Sequence, residues 1–500
     1  MIKWGVSAMS HDAALAVYKD GAIVYASHGE RYSRIKNDKN LHPDQIAEAL
    51  EYGEPDEVNF YENTRLKKWR QFRAGQYKLL TKQSPRSYMR DFGIHAPVHQ
   101  HRHHTTHAMY ALRTKPFSPM LTDCLVIDSI GEFETVSWWQ EINGSIEKRW
   151  SQSYPHSIGL WYSAMTQRLG LKPQEHEYIL MGMAALGDAN RFRQIITDDF
   201  FEKLPSRDDP NTVFKENLHR GCLWWRPDIN SVTDYVDIAA AVQAIYTDIL
   251  DGILQWIQTQ SNAKHLALVG GCALNCVANT FAHHRYNRVW VPPNPGDAGS
   301  AIGAILATTP LLEPLEHAYL GTNIPGVYPI TDIIHDLKTT GVAAVACGRA
   351  EFGPRALGHR SILADPRLPD IKDRVNAIKH REPFRPFSPM CLEEHVDSHF
   401  FKPTYNWTAP FMQFAIRCAS PTTFPGIVHT DNTSRVQTVG RHLSYEERGP
   451  RRLLERWHGE TGCPMLLNTS LNIKGEPLVN TVEDAARWTA EHGVKVHTGL

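Results

Sequence analysis

One local design is written twice in this chain, and it restricts the fold more than any other feature. Residues 2–7 are apolar-rich, Ser10-His11-Asp12 interrupts them, residues 13–18 resume, Asp20-Gly21 makes a hairpin turn, and residues 22–28 return. Later, residues 123–128 (DCLVID) form a second such strand and residues 129–132 interrupt it. Residues 135–141 follow, Asn143-Gly144 turns, and residues 145–150 return. Two copies of strand, acidic turn and hairpin predict an internal duplication. Each turn holds an aspartate, Asp12 or Asp128, where loop residues on a rigid sheet commonly carry function.

Between the copies the pattern predicts a helix over 44–52 and a strand over 58–62. Residues 65–90 then carry nine Lys/Arg and no acid, interleaved with Trp69, Phe72, Tyr77 and Tyr88. Two readings fit this stretch. It is either a solvated helical face whose long side chains cover apolar surface, or a contact surface for a phosphate backbone with aromatics for stacking.

Beyond the second copy, Ile238, Val242, Ile245, Ile249, Ile253 and Trp256 step by three or four and predict a helix over 235–257. It leads to a strand over 265–269, the pair Gly270-Gly271, a helix opening at 273–275, and a strand over 289–291. The turn Pro293 to Asp297 and a small-residue helix over 298–307 complete an alternating α/β domain. Residues 310–325 are rich in Pro and Gly without periodicity, so a linker is expected. A second unit follows, with strands at 343–347, 411–417 and 436–439 and a helix over 372–380. Its last helix starts at Thr481 with a Thr481/Asp484 capping-box pattern.

Bulk properties narrow the function classes. Five hundred residues exceed one hydrophobic core, and 42% apolar with 21% charged residues excludes wholesale disorder. A net charge of −1 gives no global bias toward nucleic acid or membrane. No run of 18 apolar residues exists, so no membrane span is predicted. The eight cysteines contain no C-x-x-C pair, and no leader-like start is seen; reduced thiols and a cytoplasmic setting are expected. The 26 histidines make a metal or phosphate site worth seeking.

Four groups of residues carry chemistry. His103 and His107 are four apart, so on a helix they share one face, where they either grip one ion or sit on a wet surface. Asp128 and Asp297 sit at turns that could complete the set; Asp297 could equally cap the following helix. Gly270, Gly271 and Asn275 join a strand to a helix start, a place suited to phosphate as well as to plain turn chemistry. His11 and Asp12 face them as candidates across a cleft. The stretch from Glu351 to Arg367 brings Arg355, Arg360 and Arg367 together, followed by Lys379, Arg381 and Arg385. Such cations need anions: nucleotide phosphates, or Glu351, Asp365 and Glu382 as salt-bridge partners. Ser470 and Asn472 in NTSLN offer a hydroxyl and an amide on one face of a strand end.

The pieces SHDAALAV, HHTTHA, HEYILMGMAALG, GGCALNC, NPGDAGSAIGA, EFGPRALGHRSILADPR, KHREPFRPFSP, HTDNTSRVQTV and LLNTSLNIKGEP occur in an order that resembles the NodU/CmcH-type O-carbamoyltransferase family. The resemblance covers nearly the whole chain. It implies a duplicated actin/Hsp70-like (Kae-like) ATPase-fold domain over 1–325 and a YrdC-like α/β domain over 326–500. It also implies the reaction. The YrdC-like domain would make carbamoyladenylate from carbamoyl phosphate and ATP with Mg2+. The Kae-like domain would then transfer the carbamoyl group to an acceptor hydroxyl and release AMP. The metal ligands would be His103, His107, Asp128 and Asp297, holding Fe(II). Lys379, Arg381, Ser470 and Asn472 would form the adenylate-making site, with Arg355 and Arg435 around phosphate. His11 or Asp12 would serve as general base near the acceptor.

Three positions depart from the family pattern: Ser129 replaces a Gly, Ile179 a Lys and His359 an Asn. The missing lysine removes one phosphate contact. The chain is also short for the family, so acceptor-binding insertions would be trimmed. The expected acceptor is a small natural product or a nucleobase hydroxymethyl such as 5-hydroxymethylcytosine; a homodimer is compatible with the family. A tRNA threonylcarbamoyl-type transferase is the rival that uses the same two folds, and the order of fusion with the EFGPRALGHRS loop speaks against it.

Overall fold

The computed structural model describes residues 1–76, 83–117, 121–311, 315–441 and 448–500. Tyr77, Lys78 and Lys82 of the basic stretch lie outside them. By packing, the chain forms two compact units, Met1–Asp56 with Leu311–Leu500, and Glu57–Pro310. These units are cut differently from the domains expected over 1–325 and 326–500.

The Glu57–Pro310 unit is built on a five-stranded sheet with the order Arg288–Trp290, His265–Val269, Thr122–Ile127, Glu134–Ile142, Ser145–Ser153. Thr122–Ile127 runs parallel to His265–Val269 and antiparallel to Glu134–Ile142. It is buried at every residue, which is why TDCLVI shows no period-two alternation. The predicted long helix runs Val232–Gln260, capped at its start by the Ser231 side chain.

Two further helices position the site. His103–Thr114 is buried on nearly all sides. Ser300–Leu306 lies against it, and glycines make the close approach possible. A Cβ on Gly303 would meet the Thr106 carbonyl oxygen at 2.0 Å, and one on Gly299 would meet the Tyr110 ring at 2.6 Å. The predicted 298–307 helix begins as a 3-10 turn over Asp297–Gly299 and becomes α-helical only at Ser300.

In the other unit, Ile2–Ser7, Ala14–Lys19 and Ala22–His28 make an antiparallel meander, the same local order as the second copy. After residue 311 comes a mixed six-stranded sheet, with the order Gln437–Val439, Ser388–Leu392, Met465–Ser470, Arg360–Ala364, Val342–Ala346, Val496–His497. Its strands alternate with helices such as Ile330–Thr339, Ile371–Ile378 and Gly449–Thr461. The capping box is present: Thr481 accepts from the Asp484 N–H and Asp484 returns the bond. The architecture is therefore mixed α/β, as the alternation predicts.

Two expectations fail. The stretch 310–325 contains the strand Tyr319–Ile324, paired antiparallel with Gly348–Glu351. Its register shifts between Tyr319 and Asn323, and this irregularity erases the alternation that would have marked a strand. Of the strand expected over 411–417 only Ala415–Arg417 forms. Phe411, Met412 and Phe414 are buried, but Met412 has a φ of 59°, which breaks any extended run.

Candidate functional site

One helical turn brings the His103 and His107 imidazoles together, and two loops bring the carboxylates. His103 Nε2 lies 3.0 Å from Asp128 Oδ2, 3.1 Å from His107 Nε2 and 3.4 Å from Asp297 Oδ1. His107 Nε2 is 3.3 Å from the same Asp297 oxygen. One ligand atom from each of the four residues falls within 4.8 Å of the others, and all four residues are buried.

The chemistry of this donor set fits a cation. His103 Nε2 can carry one proton, yet it faces three electron-rich atoms. A positive ion at their common focus would satisfy all of them. Charge follows the same logic. Burial disfavours a charged His103, but the Asp297 and Asp128 carboxylates outweigh it and hold its pKa well above the usual histidine value. Burial and Asp297 push Asp128 upward; His103 wins and holds it below the usual carboxylate range. The Nδ1 atoms of both histidines are buried without a hydrogen-bond partner among the described residues.

The supporting contacts explain much of the sequence around the site. Asp128 Oδ1 accepts the Gly271 N–H at 3.2 Å, which leaves Oδ2 for His103. Gly270 has a φ of 94°, and a Cβ there would meet the Ile127 carbonyl oxygen at 2.2 Å. Asn275 caps the short Cys276–Phe281 helix and pairs with Gln243. The Gly270, Gly271 and Asn275 cluster expected at a phosphate thus holds Asp128 and a helix start in place. Gly296, not Asp297, occupies the cap position of its turn, and no side-chain bond caps that turn.

Sequence reading missed Glu132. Its carboxylate accepts the His103 N–H at 3.1 and 3.2 Å and the Asn63 N–H at 2.7 Å. It caps the metal-candidate helix, whose own cap residue Arg102 makes no such side-chain bond. An acid in the turn after Asp128 was visible, but nothing local revealed that it reaches back 29 residues.

In the other unit, Lys379 ends the Ile371–Ile378 helix with its ammonium turned inward. It donates to the backbone oxygens of Ser470 and Asn472, the latter at 2.8 Å, and lies 2.9 Å from Asn472 Oδ1 and 3.2 Å from Ser470 Oγ. Ser470 Oγ donates to Asn472 Oδ1 at 2.6 Å. Burial, with Arg381 and Arg385 nearby, lowers the Lys379 pKa well below the usual lysine value. Arg381 donates to Asn376 Oδ1 at 2.5 Å and lies over the Phe387 ring at 4.0 Å. Arg435 donates to Ser388 Oγ at 3.1 Å, and Arg355 is half-buried in the arginine loop. The structure thus joins Lys379, Ser470 and Asn472 directly, as their pairing in the sequence reading anticipates.

Arg360 is a correction. It is fully buried and donates to the carbonyls of Thr322, Cys347, Gly348, His359 and Asn480, so its guanidinium is consumed by backbone. Glu351 makes no salt bridge to the loop arginines among the described contacts. It accepts the N–H groups of Leu357, His359 and Arg360 at 2.7, 2.9 and 3.2 Å and so shapes the loop. Arg367 does pair with Asp365 through two bonds of 2.8 and 2.7 Å. The three departures also resolve. Ile179 lies in the core, the Ser129 carbonyl accepts Ser157 Oγ at 2.5 Å, and His359 stacks on Tyr319 at 3.8 Å. His11 and Asp12 sit in the first turn of the meander, 3.0 Å apart and partly exposed; Asp12 has a φ of 51°.

Two family models match most of the chain. The carbamoyltransferase N-terminus family matches residues 67–306 and the carbamoyltransferase C-terminus family matches residues 334–498. A Synechocystis protein is 30% identical, with 97% of this chain and 93% of that one covered. The nodulation protein NolNO of Sinorhizobium fredii is 30% identical over 95% of this chain and 76% of its own. The full-length HypF crystal structure in its phosphate- and nucleotide-bound form matches with a TM-score of 0.36 and 11% identity, covering 61% of this chain and 55% of that one; at that score it carries no argument. The chain belongs to the carbamoyltransferase family. It is an enzyme that moves a carbamoyl group from a donor to a hydroxyl acceptor. No described helix is long and apolar enough to cross a membrane.

Proposed function

We propose that the protein is an ATP-dependent O-carbamoyltransferase whose two chemical steps are divided between residues 1–325, a Kae-like domain, and residues 326–500, a YrdC-like domain. In the first step water releases phosphate from carbamoyl phosphate, and the carbamate so formed attacks the α-phosphorus of ATP to give carbamoyladenylate and pyrophosphate. In the second the acceptor hydroxyl attacks the carbamoyl carbon, and AMP leaves. A carbamate is a poor electrophile; an anhydride with AMP has a good leaving group.

The convergence of His103, His107, Asp128 and Asp297 carries this reading. These residues would hold a divalent cation, with Fe(II) the choice suggested by the family. Bound there, it would supply Lewis-acid stabilisation of phosphate charge. The chain's own residues do the rest. Gly271 and Glu132 fix the orientation of Asp128 and of the histidine helix. Arg355, Arg381 and Arg435 offer positive charge to the phosphates of ATP in the first step. Lys379 holds Ser470 and Asn472 in register, so that the serine hydroxyl and the amide meet the nucleotide in one geometry. His11 and Asp12, hydrogen-bonded to each other, can accept the acceptor's proton.

Carbamoyl phosphate-dependent exchange between ATP and pyrophosphate measures the first step. Mass spectrometry of carbamoylated acceptor measures the second. Asp297→Ala should keep exchange and lose transfer; transfer at the wild-type rate by that variant rejects the metal assignment. Ser470→Ala should impair exchange; full exchange rejects the assignment of the second site.

A further inference from the structure

The helix Thr64–Arg73 has no part in either step, yet it is built unlike the rest of the surface. It carries five Lys/Arg and no acid. Lys67 pairs with Glu62 at 2.8 Å, and Arg70 is buried beside the Tyr154 ring. The other three cations, Arg65, Lys68 and Arg73, make no ion pair among the described residues. Between them Trp69 and Phe72 stand 54% and 53% exposed, their rings near-parallel at 15° with centroids 6.2 Å apart. Two large rings this exposed on a cationic helix offer faces on which bases can stack.

The helix start is tied to the metal-candidate helix. The Asn63 N–H donates at 2.7 Å to the Glu132 carboxylate that also caps His103. Thr64 donates through N and Oγ1 to Gln100 Oε1 at 3.0 and 2.7 Å, three residues before His103. Trp69 lies six residues beyond that junction, about 9 Å along the axis at ~1.5 Å per residue.

We infer that this helix is a platform for single-stranded nucleic acid, with Trp69 and Phe72 stacking bases while Arg65, Lys68 and Arg73 neutralise phosphates. The inference deepens the carbamoyl-transfer reading and rests on it for what is done to the bound strand: the acceptor hydroxyl would be on a nucleobase. The cations and rings repeat at positions 65, 68/69 and 72/73, a stripe of roughly 12 Å that spans several steps of a strand. A membrane surface fits less well, because an interfacial helix buries a broad apolar face and this one exposes only two large rings.

Binding is read by anisotropy of a fluorescein-labelled oligothymidylate against the full chain. Three neutralised phosphates predict a log–log salt slope of about −2. The double variant Trp69→Ala, Phe72→Ala should weaken binding at least about tenfold. The triple variant Arg65→Glu, Lys68→Glu, Arg73→Glu should flatten the slope, and Trp224→Ala, an exposed tryptophan elsewhere on the same unit, should bind as wild type. The platform is rejected if the wild type does not bind at low salt or if the double variant binds unchanged. It is also rejected if Trp69-dependent binding occurs to phosphatidylglycerol vesicles and not to the oligonucleotide. Carbamoyl phosphate-dependent exchange on the same preparations separates the two ideas. Exchange without strand binding overturns the platform alone, and strand binding without exchange overturns the carbamoyl-transfer reading while supporting the platform.

Discussion

His103, His107, Asp128 and Asp297 aim electron-rich atoms at one another, whereas Lys379 turns its protons toward Ser470 and Asn472. Both clusters are polar; the first is fully buried, and in the second Lys379 is buried while Ser470 and Asn472 are half-buried. The first sets two carboxylates against His103, whose charge offsets only one of them, and gains most from an ion. The second is closed by its own hydrogen bonds. In the neighbouring arginine loop, backbone takes up the Arg360 guanidinium and Glu351 Oε1, while Glu351 Oε2 is buried without a hydrogen bond among the described residues. Buried polar groups that are paired hold a structure together; those left facing like partners mark the place where something else must bind.

Substitutions can break this contrast. Asp297→Ala should reduce carbamoyl transfer by more than about 100-fold, the upper end of what losing a supporting metal contact costs. Thermal unfolding sharpens the point. Added divalent ion should stabilise the wild type by about 2.7 kcal/mol at a hundredfold excess over its Kd. The Asp297 variant should show no such shift while losing little stability without ion. An equal ion-dependent shift in the variant would show that the four residues do not form the binding set.

Lys379→Met tests the closed cluster in the opposite way. It strips half-buried acceptors at Ser470 and Asn472 of their donor and should cost roughly 1–3 kcal/mol in urea unfolding, with or without metal. A variant as stable as wild type would mean that the ammonium is held there for chemistry alone.

The arginine loop adds a pH signature. Burial, chiefly, lowers the His359 pKa from 6.5 to about 4. The unfolded chain therefore takes up the proton first. Stability from the neutral ring is fully present above 6.5 and is lost as pH falls toward 4, by up to ~1.4 kcal/mol per pH unit. His359→Asn should flatten that part of the acid-unfolding profile; an unchanged slope would mean the loop does not report on this ring. The smallest effect belongs to Glu132→Ala, which removes a helix cap worth about 1 kcal/mol. It should lower transfer more than exchange, and equal losses in both would deny it a positioning role.

Much of this was legible in the chain. The spacing of His103 and His107 gave a shared helix face, and the repeated strand-turn-hairpin gave both meanders. What stayed hidden was everything that depends on distance along the chain. Glu132 reaches a helix 29 residues earlier, Arg360 binds carbonyls 38 and 120 residues away, and the bulged strand Tyr319–Ile324 carries no alternation. Cation-rich motifs were the least readable part. Composition cannot distinguish Arg360, spent on backbone, from Arg381, half-buried with its guanidinium over the Phe387 ring.

The seam of Gly299 and Gly303 has a consequence for ion choice. With only a hydrogen at those positions, Gly303 rests against the backbone of the histidine helix and Gly299 against its Tyr110 ring, and Asp297 rides at the tip of the seam. The main-chain separation between that carboxylate's turn and the histidine helix is therefore set by this close approach. An alanine at either glycine would act as a shim, opening the aperture between the two sides of the centre. The size of cation admitted is then a property of two missing methyl groups, two and six residues beyond Asp297, and selectivity drifts without any ligand being changed.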